Sequence, residues 1–439
     1  MLLSRAVPRS RFTIKWKFLE WFSCILLGYG LLDRGFAYIG VRPVYLGELA
    51  LLLAVLTMLL IPKKPRLLKS TSIVLLLVFM VWGAVCTVPY IKFFGMDALR
   101  DAALWGYGTF AVAIAAFLVA FPERLRWLIE RYRSYAVIFL VAKPVLRLIG
   151  IFGGSSLRFP GSPVPLIDSK AGNLYVQLSG INSFVLSGLA RSRLIPLMLW
   201  FALPMLGTFN RAGLLSFLFS FLTVMSLKPL SRSGWRMVII AITIVLVLFV
   251  TQAEISPPGS SRTLSIEKLA LDLQSVFGTS EESRLENTKA WRIRWWTDIF
   301  RYTFGGPYFW TGKGYGINLA DDDGYQVTID HSLRSPHNGH MTILARSGVP
   351  GFILWILLQA SWAVSLLRSY FVARATGRST WAALFVFLIG FWTAAMVNTT
   401  FDVYLEGPMG GIWFWTLFGV GAAAVQIFRT RPDVLGKET

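Results

Sequence analysis

All three histidines of the chain, His331, His337 and His340, fall within ten residues of one another. Imidazole can accept a proton near neutrality, since its unperturbed pKa is about 6.5, or it can ligate a metal ion. Asp321, Asp322, Asp323 and Asp330 lie close upstream, so zinc or a harder divalent ion is one chemistry to weigh. The spacing matches no compact ligand motif, however, and a run of aspartates is more often a solvated turn. A base is the better reading, and neither a metal nor a cofactor is expected. Arginines also gather near the histidines in sequence: Arg284, Arg292 and Arg294 precede them and Arg346 follows. Guanidinium forks hold phosphate oxygens in pairs and stay charged at any working pH.

The elements that hold these residues can be read from the breakers around them. Pro336 interrupts the chain before His337 and Asn338, and Gly348, Pro350 and Gly351 interrupt it again. Residues 339–347 are therefore expected to be a short helix between two breaks. If His337 joins it, His337 and His340 lie one turn apart on one face. A long apolar run begins at residue 351, so the imidazoles sit at the mouth of a membrane span and not inside it.

The rest of the chain is built of such runs. Of 439 residues 55% are hydrophobic and only 15% are charged, which excludes an ordinary soluble domain. Apolar windows near 18–33, 43–61, 71–90, 102–121, 134–151, 174–190, 194–209, 212–227, 236–252, 351–370, 380–399 and 410–428 predict about twelve helices. The sixth is the most polar, with Gln177, Asn182 and several serines, and either faces a polar cavity or packs through small residues. The net charge of +20 could suggest nucleic acid, but the basic residues lie in short segments such as "IPKKPRLLK" and "LKPLSRSGWR", where they act as orientation signals. Membrane lipids, not nucleic acid, are the expected surroundings. The signals put both termini inside. Cys24 and Cys86 lie in apolar runs and suggest no disulfide.

One connection is long. Residues 253–350 are too polar to span and follow the ninth window, which divides the chain into helices 1–9 (1–252), a large external loop (253–350), and helices 10–12 with a tail (351–439). Within the loop, 264–278 has the spacing of an amphipathic helix. A second helix is expected over 284–300, where Trp291, Trp295 and Ile299 recur every four residues in a pattern suited to the headgroup level. The glycine-rich "FGGPYFWTGKGYG" that follows lacks P-loop spacing and reads as a tight turn.

His337-Asn338, nine residues, Gly348, two residues, Gly351 resembles the signature of the O-antigen ligase family, within the superfamily that also holds O-antigen polymerases and protein O-oligosaccharyltransferases. Two further stretches are similar to that family. "GTFNRAGLLSFL" matches its arginine at the outer start of a span and lands on Arg211, on the same side as the large loop. "WRIRWWTDIFRYTFGGPYFWTGKGYG" matches its loop arginine, best at Arg292 with Arg284 as the alternative, followed by a glycine pair at Gly312 and Gly314.

The resemblance implies an all-α polytopic protein of the bacterial inner membrane with its catalytic loop in the periplasm. It implies a metal-independent, inverting transfer of a glycan from undecaprenyl diphosphate to the lipid A-core oligosaccharide. His337 would be the general base, and Arg211 and Arg292 would bind the diphosphate. Arg284, Asn338, His340, Arg346, and Lys143 and Arg147 near the outer end of the fifth span are further candidates for substrate contacts. Each has a plainer reading: a loop histidine at a helix start, arginines and a lysine that snorkel to headgroups. A polymerase or protein glycosyltransferase of the same superfamily is the nearest alternative. A polymerase should carry a second sizeable external loop, and residues 152–173 are short. A secondary transporter, which puts its ionisable groups near the midplane, is a more distant one.

Overall fold

A computed structural model describes residues 13–436 apart from 42–43, 62–64, 153–156, 193, 207–210, 230–234 and 236–282. The ninth apolar window (236–252) and the amphipathic stretch 264–278 lie outside the described residues. The chain folds into helices: α1 (Thr13–Leu32), the single turn α2 (Arg34–Ala37), α3 (Leu46–Leu59), α4 (Thr71–Phe94), α5 (Met96–Gly106), α6 (Gly108–Ala120), α7 (Arg124–Phe152), α8 (Ala171–Ser187), α9 (Leu194–Leu206) and α10 (Arg211–Leu227). After the undescribed segment come α11 (Ser283–Phe304), the turn α12 (Leu319–Asp322), α13 (Gly339–Ala375), α14 (Ser379–Phe401) and α15 (Pro408–Thr430). Among the described residues the strands are a two-residue antiparallel hairpin, Gly40–Val41 with Val44–Tyr45.

Four described helices, α4, α13, α14 and α15, are long and apolar enough to cross a membrane, and α5 with α6 makes a fifth if the pair, bent by 40°, counts as one span. Side-chain size sorts them by depth. On α4, Val74, Val78, Val81, Val85 and Val88 are exposed at a helical period, while Ile73, Leu76, Phe79 and Cys86 are buried on the other face. This is the pattern of a helix with one stripe toward lipid. By contrast α15 is buried nearly all round, and its glycines and alanines bring neighbours close: a Cβ at Gly419 would stand 2.5 Å from the Ala111 carbonyl on α6. Small residues give helices in lipid their contact area, because apolar burial alone does not favour one helix over an acyl chain.

The polar sixth window resolves the same way. As α8 it packs on α10 and α14, Gln177 accepts a hydrogen bond from Tyr135 at 2.8 Å, and Ser183 and Ser220 bond across to α10 at 3.0 Å. Its polarity serves helix packing along most of its length.

Residues 291–349 form a separate small core. Trp295, Ile299, Leu319, Ala320, Leu344, Ala345 and Val349 bury one another, and the Trp295 indole stacks on Tyr325 with centroids 5.1 Å apart. The expectation that the Trp291, Trp295 and Ile299 face meets headgroups is corrected here, since Trp295 and Ile299 are fully buried. The four-residue period was right about the helix and could not say which apolar phase it meets. Truncating an indole packed this way typically costs about 3–5 kcal/mol, so this core is a firm platform for the helix that follows His337.

That helix starts and stops where its chemistry requires. The Asn338 side chain caps it, accepting from the backbone N–H groups of His340 at 3.0 Å and Met341 at 3.1 Å. Helical geometry then breaks inside α13 at Gly348, with φ 65° and ψ −173°. The break strands carbonyls at the helix end. Lys313 N–H donates to Ala345 O at 2.7 Å, Gly314 N–H to Arg346 O at 3.1 Å, and the Trp82 indole N–H to Ser347 O at 2.9 Å. The glycine-rich stretch is thus a cap for the short helix. Gly312 and Gly314 have φ of 63° and 78°, and a Cβ at Gly312 would overlap the Ala345 carbonyl at 2.4 Å.

A methyl at Gly348 would combine a left-handed φ with a 2.5 Å approach to the Phe309 and Trp310 carbonyls, whereas Gly377, at φ 68°, has nothing within 4 Å. Gly348→Ala should therefore destabilise the purified protein by about 2 kcal/mol or more, and Gly377→Ala by about 1 kcal/mol, read from unfolding midpoints in detergent. Equal midpoints for the two variants would refute the account of the break.

Candidate functional site

His337 is not part of the helix that follows it. The helix begins at Gly339, and His337 precedes the cap with φ 52°. That conformation is uncommon for a residue with a Cβ and turns the imidazole away from His340. The two histidines consequently part company. His340 accepts a hydrogen bond on Nδ1 from the Trp355 indole at 3.0 Å and bonds the Met396 backbone carbonyl, so both ring nitrogens are engaged inside the bundle. The single-face arrangement considered from sequence does not form.

His337 remains 35% exposed and faces Asp402, with Nδ1 3.9 Å from a carboxylate oxygen. At that separation the two are not directly hydrogen-bonded, and the carboxylate attracts the ring only when the ring carries a proton. Asp402 sits just past the end of α14 and is the meeting point of the site. Lys170, the residue before α8, brings Nζ to 4.0 Å of the same oxygen, and a Cβ on Gly172 would stand 3.2 Å from the other. Arg292 of α11 feels the Asp402 charge and donates to the Phe401 carbonyl at 3.2 Å. Burial works to raise the Asp402 pKa, but His337, Lys170 and the Val403 backbone N–H outweigh it and hold it down to about 2. Burial alone lowers the Arg292 pKa and Asp402 opposes this, while the guanidinium stays charged.

A second carboxylate of the same connection fixes the loop that presents His337. Glu406 accepts hydrogen bonds from the Ser335 hydroxyl and the Thr342 hydroxyl, both at 2.8 Å, one on each side of His337. Trp296 of α11 donates to the Pro336 carbonyl at 2.9 Å. The imidazole therefore hangs from a loop held at three points.

The other residues singled out from sequence are placed as follows. Arg211 opens α10 and Arg284 lies in the first turn of α11, but their side chains are outside the described set. The backbone beside Arg211 can still be located: Gly213 abuts Tyr175 on α8, one turn in from Lys170, so α10 begins at the end of the bundle that holds Asp402. Arg346 is buried and committed to Asp101 at 2.9 Å and to the Gly314 carbonyl at 3.2 Å, in a network that Arg334 shares. Lys143 donates to the Leu31 carbonyl at 2.6 Å and to the Ser169 hydroxyl, and Arg147 neighbours Tyr175. The aspartates weighed as metal ligands diverge: Asp322 and Asp323 pair with Lys313, and Asp321 pairs with His331 at 2.7 Å. Among the described residues no group of three His, Cys, Asp or Glu is arranged to hold a metal ion.

Sequence reasoning missed Asp402, Lys170 and Glu406. Asp402 and Glu406 lie in "NTTFDVYLEGP", between the last two apolar windows. Two carboxylates in a short turn between apolar spans were the available signal.

Residues 196–356 match the family model described as O-Antigen ligase, which bears out the resemblance read from the histidine motif. The matched segment contains Arg211, Arg292 and His337. No curated protein matches the chain. The apolar helices make the chain a multi-pass membrane protein, and its residues 196–356 are similar to the O-antigen ligase family.

Because the Asp402 pKa is depressed on folding, from the ordinary 3.8 to about 2, its ionised form stabilises the fold above the ordinary value, and that stability is lost as pH falls through 2. Asp402→Asn should cost about 2 kcal/mol at pH 7, with the gap between variant and wild type closing between about pH 4 and 2. Unfolding midpoints measured across that range test it, and a gap independent of pH would overturn it.

Proposed function

We propose that the chain is an O-antigen ligase of the bacterial inner membrane, which moves a glycan from undecaprenyl diphosphate to the lipid A-core oligosaccharide on the periplasmic face. In this reading about twelve helices span the bilayer, both termini are cytoplasmic, and residues 253–350 form the periplasmic loop that carries the base. The single observation that carries it is the convergence of His337, Asp402 and Arg292 at one end of the helix bundle, with His337 and Arg292 inside the matched segment.

The chemistry follows from what these groups can do. The acceptor hydroxyl gives its proton to His337 as its oxygen attacks the anomeric carbon, and the bond from that carbon to the diphosphate oxygen breaks on the opposite side. The configuration at that carbon inverts. Asp402 steadies the imidazolium that forms, as a carboxylate does for a histidine base elsewhere. Arg292, with Arg211, takes up the charge that builds on the departing lipid diphosphate, and stabilising such charge is often the largest catalytic contribution. Arg284 is the alternative to Arg292 for this task. Arg292 is supported by its half-buried position next to the Asp402 turn and by a guanidinium Nε that has no hydrogen-bond partner among the described residues. Asn338 contributes by capping, not by touching substrate, and Arg346, His340 and Lys143 act through the framework because their polar atoms are already taken.

A reconstituted transfer assay with a polyprenyl-diphosphate glycan and rough lipopolysaccharide decides the reading. His337→Ala should lower turnover by at least about 100-fold, the usual contribution of a general base. Arg292→Lys should keep the charge but lose the fork, at a cost of about tenfold or more. Added EDTA should leave the rate unchanged. Retained turnover in His337→Ala would end the general-base assignment, and loss of activity with chelator would revive a metal. Chains of repeats formed without lipid A-core, or glycan found on protein, would identify the sister activities instead.

A further inference from the structure

We propose that Lys170, the first turn of α8 and Asn398 form an anion subsite that takes one phosphoryl group of the donor's diphosphate, an assignment that rests on the transfer reaction above. The observation behind it is a concentration of unsatisfied donors at one point. α8 begins without a side-chain cap. Leu174 N–H bonds the Lys170 carbonyl and Lys170 N–H bonds Asp33, but the backbone N–H groups of Ala171, Gly172 and Asn173 meet no acceptor among the described residues. The start of a 17-residue helix carries its positive dipole end, so these amides together favour an oxyanion.

Asn398 supplies the independent sign. It lies one turn before Asp402 on α14, is fully buried, and neither its Nδ2 nor its Oδ1 has a partner among the described residues. Its amide is aimed at the α8 start, where a Cβ on Gly172 would stand 2.7 Å from Oδ1. A buried amide without a partner lowers stability, and a leucine of similar volume in that place would not. Such a group is explained when a ligand completes its bonds. Arg292 Nε is likewise buried and unpartnered.

The electrostatics agree. Lys143, Lys170 and Arg292 face Asp33 and Asp402, which leaves a surplus positive charge beside His337. Asp33 accepts from Lys170 N–H at 2.6 Å and Asn173 Nδ2 at 2.8 Å, and so orients the turn without capping the three free amides. Lys170 is 30% exposed, so its ammonium is the open side of the subsite while Asn398 is its floor. Asp402 stands between the two, with one carboxylate oxygen shared by His337 and Lys170 and the other turned toward Gly172.

Inorganic pyrophosphate is the probe, titrated calorimetrically into the full-length protein in detergent. Lys170→Ala should weaken its binding about tenfold, the loss of one charge-assisted contact, and Lys170→Arg should stay within about threefold of wild type. Asn398→Leu should weaken it several-fold while its melting midpoint stays level or rises, which a purely structural asparagine would not do. Pyrophosphate affinity that ignores both Lys170→Ala and Asn398→Leu, or an absence of binding to the wild type, overturns the subsite. The two readings fail separately. If the variants lose pyrophosphate but the wild type glycosylates no acceptor, the subsite stands and the transfer reaction falls. If transfer proceeds and the variants bind pyrophosphate normally, the reverse holds.

Discussion

The site depends on a helix that is forced to end. Between Asn338 and Gly348 the chain makes a helix of little more than two turns, too short to be stable alone in water. Both ends are therefore paid for by partners distant in sequence. Asn338 closes the start, and at the finish Lys313, Gly314 and Trp82 supply donors to the Ala345, Arg346 and Ser347 carbonyls. Trp82 belongs to α4, which has a lipid-facing stripe, so the cap ties the helix to the bundle as well as to the glycine-rich turn. The sequence interval from His337-Asn338 to Gly348 and Gly351 is the length of this object. Gly351 is small because a Cβ there would collide with Ser347 at 2.3 Å and press on the same Trp82 ring.

Upon this frame a few charges do different work according to what surrounds them. Arg346, which is buried, and Arg292, which is half-buried, both lie near carboxylates. Arg346 has its Nη groups saturated by Asp101 and the Gly314 carbonyl, and so holds α5 against the glycine-rich turn. Arg292 makes a single carbonyl bond and keeps an unpartnered Nε beside the half-exposed imidazole. A saturated cation repays its burial penalty inside the fold, and one left open leaves the repayment to whatever binds.

What the sequence disclosed and what it withheld follow the range of the interactions. The helix 339–347 and the turn character of residues 311–316 are local, set by side chains within a few positions, and both could be read directly. The phase of α11 was not legible, because a Trp295 and Ile299 stripe looks the same whether it meets lipid or a separate core. Asp402 with Lys170 was invisible for a stronger reason: the two are 232 residues apart (402 − 170) and belong to no shared local pattern. His340 misled through proximity, since one residue of left-handed backbone at His337 sent the two rings to different neighbours.

That left-handed residue also explains why the loop carrying the imidazole is held at three points. A β-carbon at φ 52° is strained, and such a conformation persists only where its surroundings over-determine it. Glu406 grips Ser335 and Thr342 on either side, and Trp296 grips Pro336. Burial raises the Glu406 pKa, and the Arg346 charge and the two hydroxyl bonds oppose the rise. The structural arginine is thereby coupled to the carboxylate that positions the imidazole. Breaking the Arg346–Asp101 pair would thus reach His337 through Glu406, although neither partner lies next to the ring, and a fold that keeps this support behind the loop leaves one face of the imidazole exposed.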